Sequence, residues 1–322
     1  MARMLRLNGK EYLSRLTTVA KWAEDDGWEA LLVYSDNRQA DPWMVAQYIL
    51  ENTRSIRPLI AIQPIYSHPF VTAKAVRSLA YMYERQVYLN LVAGGFPRDL
   101  SAMGDTTPHD SRYERLVEYA SIVKQLLGSP IPVTFRGKFY QVDGLQLAPA
   151  MPKHLFPILT VSGSSQAGRS AARELGARAI EYLRPAKEYD QLPLDRTLQL
   201  GTRLGIIVRN STEEAWRAAH AAYAENADGA AIRQGAAQIS DSQWVRDLVK
   251  RQDAPETHPY WLGPFRTFRT SCPFLVGSRD EVATEICMYL KAGFRSFLLE
   301  QPMDAEDSKR ITEVFKMAQA RL

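Results

Sequence analysis

Between Val87 and Leu127 the chain gathers side chains that can hold a polar ligand: Asn90, His109 and Tyr113, with Gly94-Gly95 between them. Asparagine carries both a donor and an acceptor, so at a strand end it can bind a ligand or serve the backbone. Tyr113 and His109 can reach a phosphate or a hydroxyl. Equally, a first-turn tyrosine can belong to the core and a loop histidine can be solvated. A second candidate is Ser162-Gly163-Ser164-Ser165, whose backbone N–H groups and hydroxyls could cradle a phosphate at the positive end of a helix dipole. Serine-rich turns also simply cap helices. The third is Arg203, in Thr202-Arg203-Leu204-Gly205 within a long apolar run. A charge there must be paired or must face a ligand, and an arginine suits an anion.

Other chemistries lack their residues. The five histidines, His68, His109, His154, His220 and His258, do not pair at metal spacing, and Cys272 and Cys287 form no CxxC. Neither GxSxG nor HExxH occurs, which leaves no signature of a hydrolase or a metalloenzyme and no expected metal.

The elements that position these residues follow one pattern. Val87 to Gly95 reads as a buried strand, and a helix follows with a capping-box spacing at Ser111 and Glu114. This strand, polar loop and helix form one βα unit, whose loop is where α/β folds place chemistry. Upstream, helices and strands alternate through Ala30 to Tyr34 and Pro58 to Ile62. Downstream, Val133 to Leu147 reads as a β-hairpin, and strands follow at Pro157 to Val161, Ala177 to Tyr182, Leu198 to Val208 and Ser296 to Leu299, with a short apolar run at Phe274 to Val276. Seven strands alternate clearly with helices, and Met4 to Leu7 is a feeble candidate for an eighth. The pattern predicts an α/β fold, a (β/α)8 TIM barrel with insertions and a short or missing first strand. A doubly wound sheet is the alternative, but it calls for a GxGxxG fingerprint that is absent. Residues 1–322 are expected to form a single domain, with insertions at about 128–156, the hairpin, and at about 224–271, a lid or mobile loop.

Bulk composition is that of a soluble globular protein. A charged fraction of 24% and a hydrophobic fraction of 46% support a sizeable core. The formal charge of +4 without basic runs argues against nucleic acid as partner. No window approaches the ~18 apolar residues of a membrane span, and no signal peptide is visible. Two unpaired-looking cysteines fit a reduced, cytoplasmic protein.

The order of motifs resembles the bacterial luciferase-like flavin monooxygenases, in particular the alkanesulfonate monooxygenase branch. It runs through Asn90 to Gly95, Ser111 to Glu114 with Glu118-Tyr119, Phe135 to Tyr140, Ser162 to Ser165, Arg203, Ile207 to Arg209 with Ala215-Trp216, and Leu275 to Gly277. The resemblance implies a TIM barrel that uses reduced FMN (FMNH2) and O2, by way of a C4a-(hydro)peroxyflavin, to oxidise a small substrate. It also implies a separate NAD(P)H:flavin reductase and a homodimer or homotetramer. On it, cofactor contacts fall on Gln39, Gln63, Asn90, Ala93, His109, Tyr113, Ser162, Gly163, Ser164 and Ser165. The catalytic candidates are Arg203, Gln63 and His68, and Arg184, Arg203 and Gln301 are expected to face substrate.

The departures narrow this expectation. Gly205 stands where the sulfonatases have a histidine, and Pro302 where they have a tyrosine. The expected substrate is therefore not a simple alkanesulfonate. The alternatives are an F420-dependent hydride-transfer oxidoreductase on the same barrel, or a catalytically impaired flavin-binding paralogue that acts by association.

Overall fold

The computed structural model describes residues 7–37, 39–192, 194–224, 226–251, 256 and 258–322. It divides into two compact units, the first ending at Arg178 and the second beginning at Ala179.

The first unit opens with α1 (Gly9–Asp25), β1 (Ala30–Val33), α2 (Pro42–Asn52), β2 (Arg57–Ile62), α3 (Pro69–Tyr83) and β3 (Tyr88–Leu91). Local signals set each helix start. Asn8 and Glu11 form a reciprocal capping box at α1, and Asp41 accepts from the Trp43 and Met44 N–H groups ahead of Pro42. The unit continues with α4 (Pro97–Ala102), α5 (His109–Gly128), the antiparallel hairpin β4 (Val133–Arg136) and β5 (Gln141–Leu145), then β6 (Ile158–Ser162) and α6 (Gln166–Leu175). Strands β1, β2, β3 and β6 pair in that order, all parallel. Every residue of β3 is buried, as expected of a strand covered on both faces. Ala73, Val76, Leu79 and Ala80 of α3 recur at helical spacing and are buried.

The expected capping box at Ser111 and Glu114 is not the start of α5. The helix begins at His109, so that histidine is its first residue rather than part of the loop, and its N-cap Pro108 makes no side-chain cap bond. Proline has its φ fixed near the helical value and no N–H to satisfy, so the chain turns into the helix without a polar cap. The preceding loop is held by side chains instead. Arg115 pairs with Asp105 at 2.6 Å, the Thr107 N–H donates to Asp105 Oδ1 at 3.0 Å, and Arg112 donates to the Thr107 carbonyl at 3.2 Å. Helix α5 also anchors the hairpin. The Glu118 carboxylate accepts from the backbone N–H groups of Lys138, Phe139 and Tyr140 at 2.8, 2.8 and 3.0 Å.

The second unit holds β7 (Arg178–Tyr182, which begins at the division), β8 (Gln199–Arg209), α7 (Thr212–Ala222), α8 (Ala227–Ile239), α9 (Gln243–Lys250), β9 (Tyr260–Trp261) and α10 (Gly263–Arg266). It ends with β10 (Phe274–Ser278), α11 (Arg279–Ala292), β11 (Ser296–Leu299) and α12 (Ala305–Gln319). Strand β7 neighbours β8. The length of β8 lets it serve two partners: Gly201–Leu204 pair with β11, and Gly205–Arg209 pair with β10, both parallel. The seven strands expected to alternate with helices are β1, β2, β3, β6, β7, β8 and β11, and β10 extends the far half of β8. Of the feeble candidate Met4 to Leu7, residues 4–6 lie outside the described residues and Leu7 is not in a strand. The Ala-rich stretch after residue 224 is α8. The aperiodic segment beyond it contains α9, β9 and α10, packed through Trp244, Leu248, Tyr260, Leu262 and Phe265. No described helix is long and apolar enough to cross a membrane.

Candidate flavin and substrate residues

Parallel register sets the geometry of the first unit's polar cluster. Asn90 of β3 lies level with Thr160 of β6. Residues two apart on a strand share a face, so Thr160 and Ser162 both point to the side where Asn90 lies. Their hydroxyls donate to Asn90 Oδ1 at 2.9 and 2.7 Å. Asn90 is only 6% exposed, and its Oδ1 takes both of these bonds. With Oδ1 so engaged, the amide NH2 is the side of Asn90 that can donate to a polar ligand group.

Ser162 leads into the turn that starts α6. Tyr113, buried at the start of the second turn of α5, lies over the turn before α6: a Cβ built at Gly163 would overlap the Tyr113 hydroxyl, and one at Gly168 would come within 2.6 Å of the Gly163 carbonyl. Only hydrogen at those positions allows the tyrosine, the turn and the helix end to meet. His109 stands edge-on to Tyr113 at 5.3 Å between ring centroids, with Nδ1 2.6 Å from Asp110. Ser165 caps α6 by accepting from the Gly168 N–H at 3.1 Å, and Ser164 has no hydrogen-bond partner among the described residues. Asn90, Tyr113, His109 and the Ser162 to Ser165 turn are thus brought together.

The other candidates of this unit sit apart from that cluster's hydrogen bonds. Gln63, just past β2 and buried, donates to the Tyr66 hydroxyl at 3.2 Å, and Tyr66 donates to Asn37 at 3.2 Å. Ala93 is buried and Gln39 half-buried. His68 is the N-cap of α3: its Nδ1 accepts from the Phe70 N–H at 3.2 Å, and its ring meets Tyr140 edge-on. Burial pushes the Tyr140 pKa up to about 12. Asp105, which clamps the loop before α5, has its pKa lowered to about 2. Burial alone would raise it, but the bonds from Arg115 and Thr107 outweigh that.

In the second unit Arg203 is paired. Its Nη2 lies 3.0 Å from Glu300 Oε2, and the Cys272 thiol donates to the same oxygen at 3.5 Å. Burial would lower the Arg203 pKa, but its interactions with Cys272 and Glu300 leave it raised; burial first, then Glu300, pushes the Cys272 thiol up. Tyr182, at the end of β7, stacks on Trp244 of α9 with centroids 4.7 Å apart. Arg184 lies 3.8 Å from Glu188 with its backbone N–H on the Tyr189 hydroxyl, and Gln301 is exposed. Gly205 has no room for a side chain, because a Cβ there would overlap the Phe274 ring.

Sequence reasoning missed Glu300, Thr160 and Asp105. The available signals were a charge directly after the apolar run Ser296 to Leu299, a hydroxyl two residues before Ser162 on the same strand, and an acid spaced to meet Arg115. Among the described residues no group of His, Cys, Asp and Glu could hold a metal ion.

Comparison with known proteins makes the class of this α/β chain definite. Residues 3–296 match the luciferase-like monooxygenase family, to which the chain belongs. It is 32% identical over 313 residues, 93% of this chain and 90% of the other, to 4-(gamma-L-glutamylamino)butanoyl-[BtrI acyl-carrier protein] monooxygenase BtrO of Niallia circulans. Its fold is shared with the EDTA monooxygenase EmoA of Chelativorans sp. BNC1 at TM-score 0.74 and 16% identity, over 98% of this chain and 89% of that one. An F420-dependent secondary alcohol dehydrogenase, in complex with an F420–acetone adduct, shares it at TM-score 0.65 and 16% identity, over 97% and 96% of the chains. The fold is therefore the α/β, TIM-barrel-type fold of this family, as its alternating strands and helices predict.

Proposed function

We propose that the protein is an FMNH2- and O2-dependent monooxygenase of a small organic substrate other than a simple alkanesulfonate, supplied with reduced FMN by a separate NAD(P)H:flavin reductase. The observation that carries this reading is the cluster of Asn90, Tyr113 and the Ser162 to Ser165 turn. Its groups suit a flavin mononucleotide: the Asn90 amide, the serine hydroxyls of the turn, and a tyrosine hydroxyl beside the start of a helix. Tyr113, Ser164 and Ser165 would hold the phosphate, aided by the α6 dipole. Asn90, His109, Gln63, Gln39 and Ala93 would hold the ribityl chain and ring. Bound reduced flavin would supply the two electrons that activate O2. The chain's own part is to fix the flavin and to orient the substrate, with Arg203, Arg184 and Gln301 as substrate contacts and Gln63 and His68 as the remaining catalytic candidates.

The name of BtrO describes an acyl substrate carried on a protein, and we extend that class of acyl substrate, free or carrier-borne, to this chain. On this reading residues 1–322 act as one domain, with the segments 128–156 and 224–271 as insertions, in a cytoplasmic homodimer or homotetramer.

Anaerobic titration tests the proposal. Reduced FMN is expected to bind with a saturable spectral change that is lost when Tyr113 and Ser164 are both replaced, and no binding of reduced FMN would sink it. The fold shared with an F420 enzyme supports one second reading, and preferential binding of F420 in the same titration would decide for it.

A further inference from the structure

We propose that the Arg203–Glu300 pair selects a substrate whose group at that point is an uncharged carbonyl, as in an amide, ester or thioester, and rejects sulfonates and carboxylates. This deepens the monooxygenase reading above, on which it rests only for the existence of a substrate. Arg203 stands level with Leu298 in the β8–β11 pair, and Glu300 follows the last residue of β11, its N–H bonded to the Leu204 carbonyl at 2.8 Å. Glu300 therefore lies at the C-terminal end of β11, where α/β folds collect their ligand-binding groups, and Arg203, midway along the longer β8, reaches it across the pair. Their side chains are 16% and 20% exposed, so the pair is largely desolvated yet still reachable.

An unpaired guanidinium in such a place would be an anion receptor. With Glu300 at 3.0 Å the pair is neutral, and the Cys272 thiol, protonated and fully buried, donates to the carboxylate without adding charge. An entering sulfonate would have to pull Arg203 away, which strands a half-buried carboxylate, or lie beside Glu300 as a second anion. Either course is costly. A carbonyl oxygen needs neither, since it can accept from the remaining guanidinium N–H groups while the pair stays intact. The neighbouring position on the same strand face cannot restore an anion site, because Phe274 leaves Gly205 no space for a side chain.

Two probes of matched length test the inference, pentanamide and 1-butanesulfonate, titrated by saturation-transfer NMR into the flavin-free protein. The wild type and Glu300→Asp are expected to prefer pentanamide. Glu300→Gln is expected to shift the ratio of association constants about 100-fold toward butanesulfonate, and adding Arg203→Gln should cancel that shift. An unchanged ratio in a Glu300→Gln protein with wild-type circular dichroism would overturn the proposal. If that variant fails to fold, the wild type still decides: a preference for butanesulfonate overturns the inference and a preference for pentanamide supports it. The titration needs no flavin, so a failure to bind reduced FMN would count against the cofactor assignment and leave this result standing.

Discussion

Asp105→Asn should destabilise the protein in a pH-dependent way. Asp105 is buried, bonded to Arg115 at 2.6 Å and to the Thr107 N–H at 3.0 Å. Its pKa falls from 3.8 to about 2 in the folded protein. At ~1.36 kcal/mol per unit, the drop of 3.8 − 2 = 1.8 corresponds to about 2.4 kcal/mol, of which solvent around the loop screens a part, leaving ~1–2 kcal/mol. The sign follows from linkage. A carboxylate with a depressed folded pKa gives its full stabilisation above the unfolded pKa and loses it as pH falls through the folded value. The stability gap between wild type and Asp105→Asn should therefore be full at pH 5 and above, and should shrink by about half by pH 3. Urea unfolding at pH 7, 5, 4 and 3 measures it. A gap that stays constant or widens on acidification would refute the assignment of this carboxylate. The variant should also weaken reduced-FMN binding, since the clamped loop leads directly into the helix that carries His109 and Tyr113.

Tyr113→Phe removes one hydroxyl from the turn at Gly163 and should weaken FMN binding ~5- to 10-fold, about the value of one hydrogen bond, with little change in substrate preference. Unchanged affinity in a fluorescence titration would count against the phosphate assignment. Gly205→Ala should lower stability by ~1–3 kcal/mol through overlap with Phe274, and Phe274→Leu in the same chain should recover part of it; thermal melts check both. In Asn90→Ala the Thr160 and Ser162 hydroxyls lose their acceptor, so a stability loss of ~1–3 kcal/mol should accompany weaker flavin binding, and a stable variant that still loses flavin would assign Asn90 to the cofactor alone.

Periodicity made the strands and most helices legible, because burial of one face leaves a repeat that can be read from side-chain type alone. The start of α5 was not legible in this way. Ser111 and Glu114 have the spacing of a cap, but Pro108 already sets the entry angle, and the charges that hold the loop come from residues spread between Asp105 and Arg115. The segment after α8 was opaque for a related reason. Its helix α9 is short, and it packs through Trp244 and Leu248 onto residues far along the chain, such as Phe265. In the site, Asn90, Tyr113 and the serine turn could be named from sequence order. That Asn90 accepts from Thr160 as well as Ser162 depends on the register of β3 against β6, which no local pattern encodes. Arg203 was visible as a charge that needed an explanation. Its partner Glu300 was not, because the two meet only through the pairing of β8 with β11.

That pairing bears on whether the departures from the sulfonatases mark decay or a different specificity. A site losing its function by drift would shed Arg203, or leave a half-buried guanidinium without a counter-charge, which is strongly unfavourable. Here the arginine is kept, a carboxylate meets it at 3.0 Å, and a buried thiol donates to that carboxylate. Gly205 is likewise no simple deletion, since Phe274 fills the space that a side chain would need. Two changes thus act in one direction: the carboxylate cancels the charge and the ring excludes a second donor. In the other unit, Thr160 and Ser162 hold Asn90 through its Oδ1, and Tyr113 lies against the turn that follows Ser162. Under the function proposed above, an arginine that is paired and packed in this way fits an enzyme of an uncharged substrate better than a paralogue without chemistry, and the butanesulfonate and pentanamide titration decides between them.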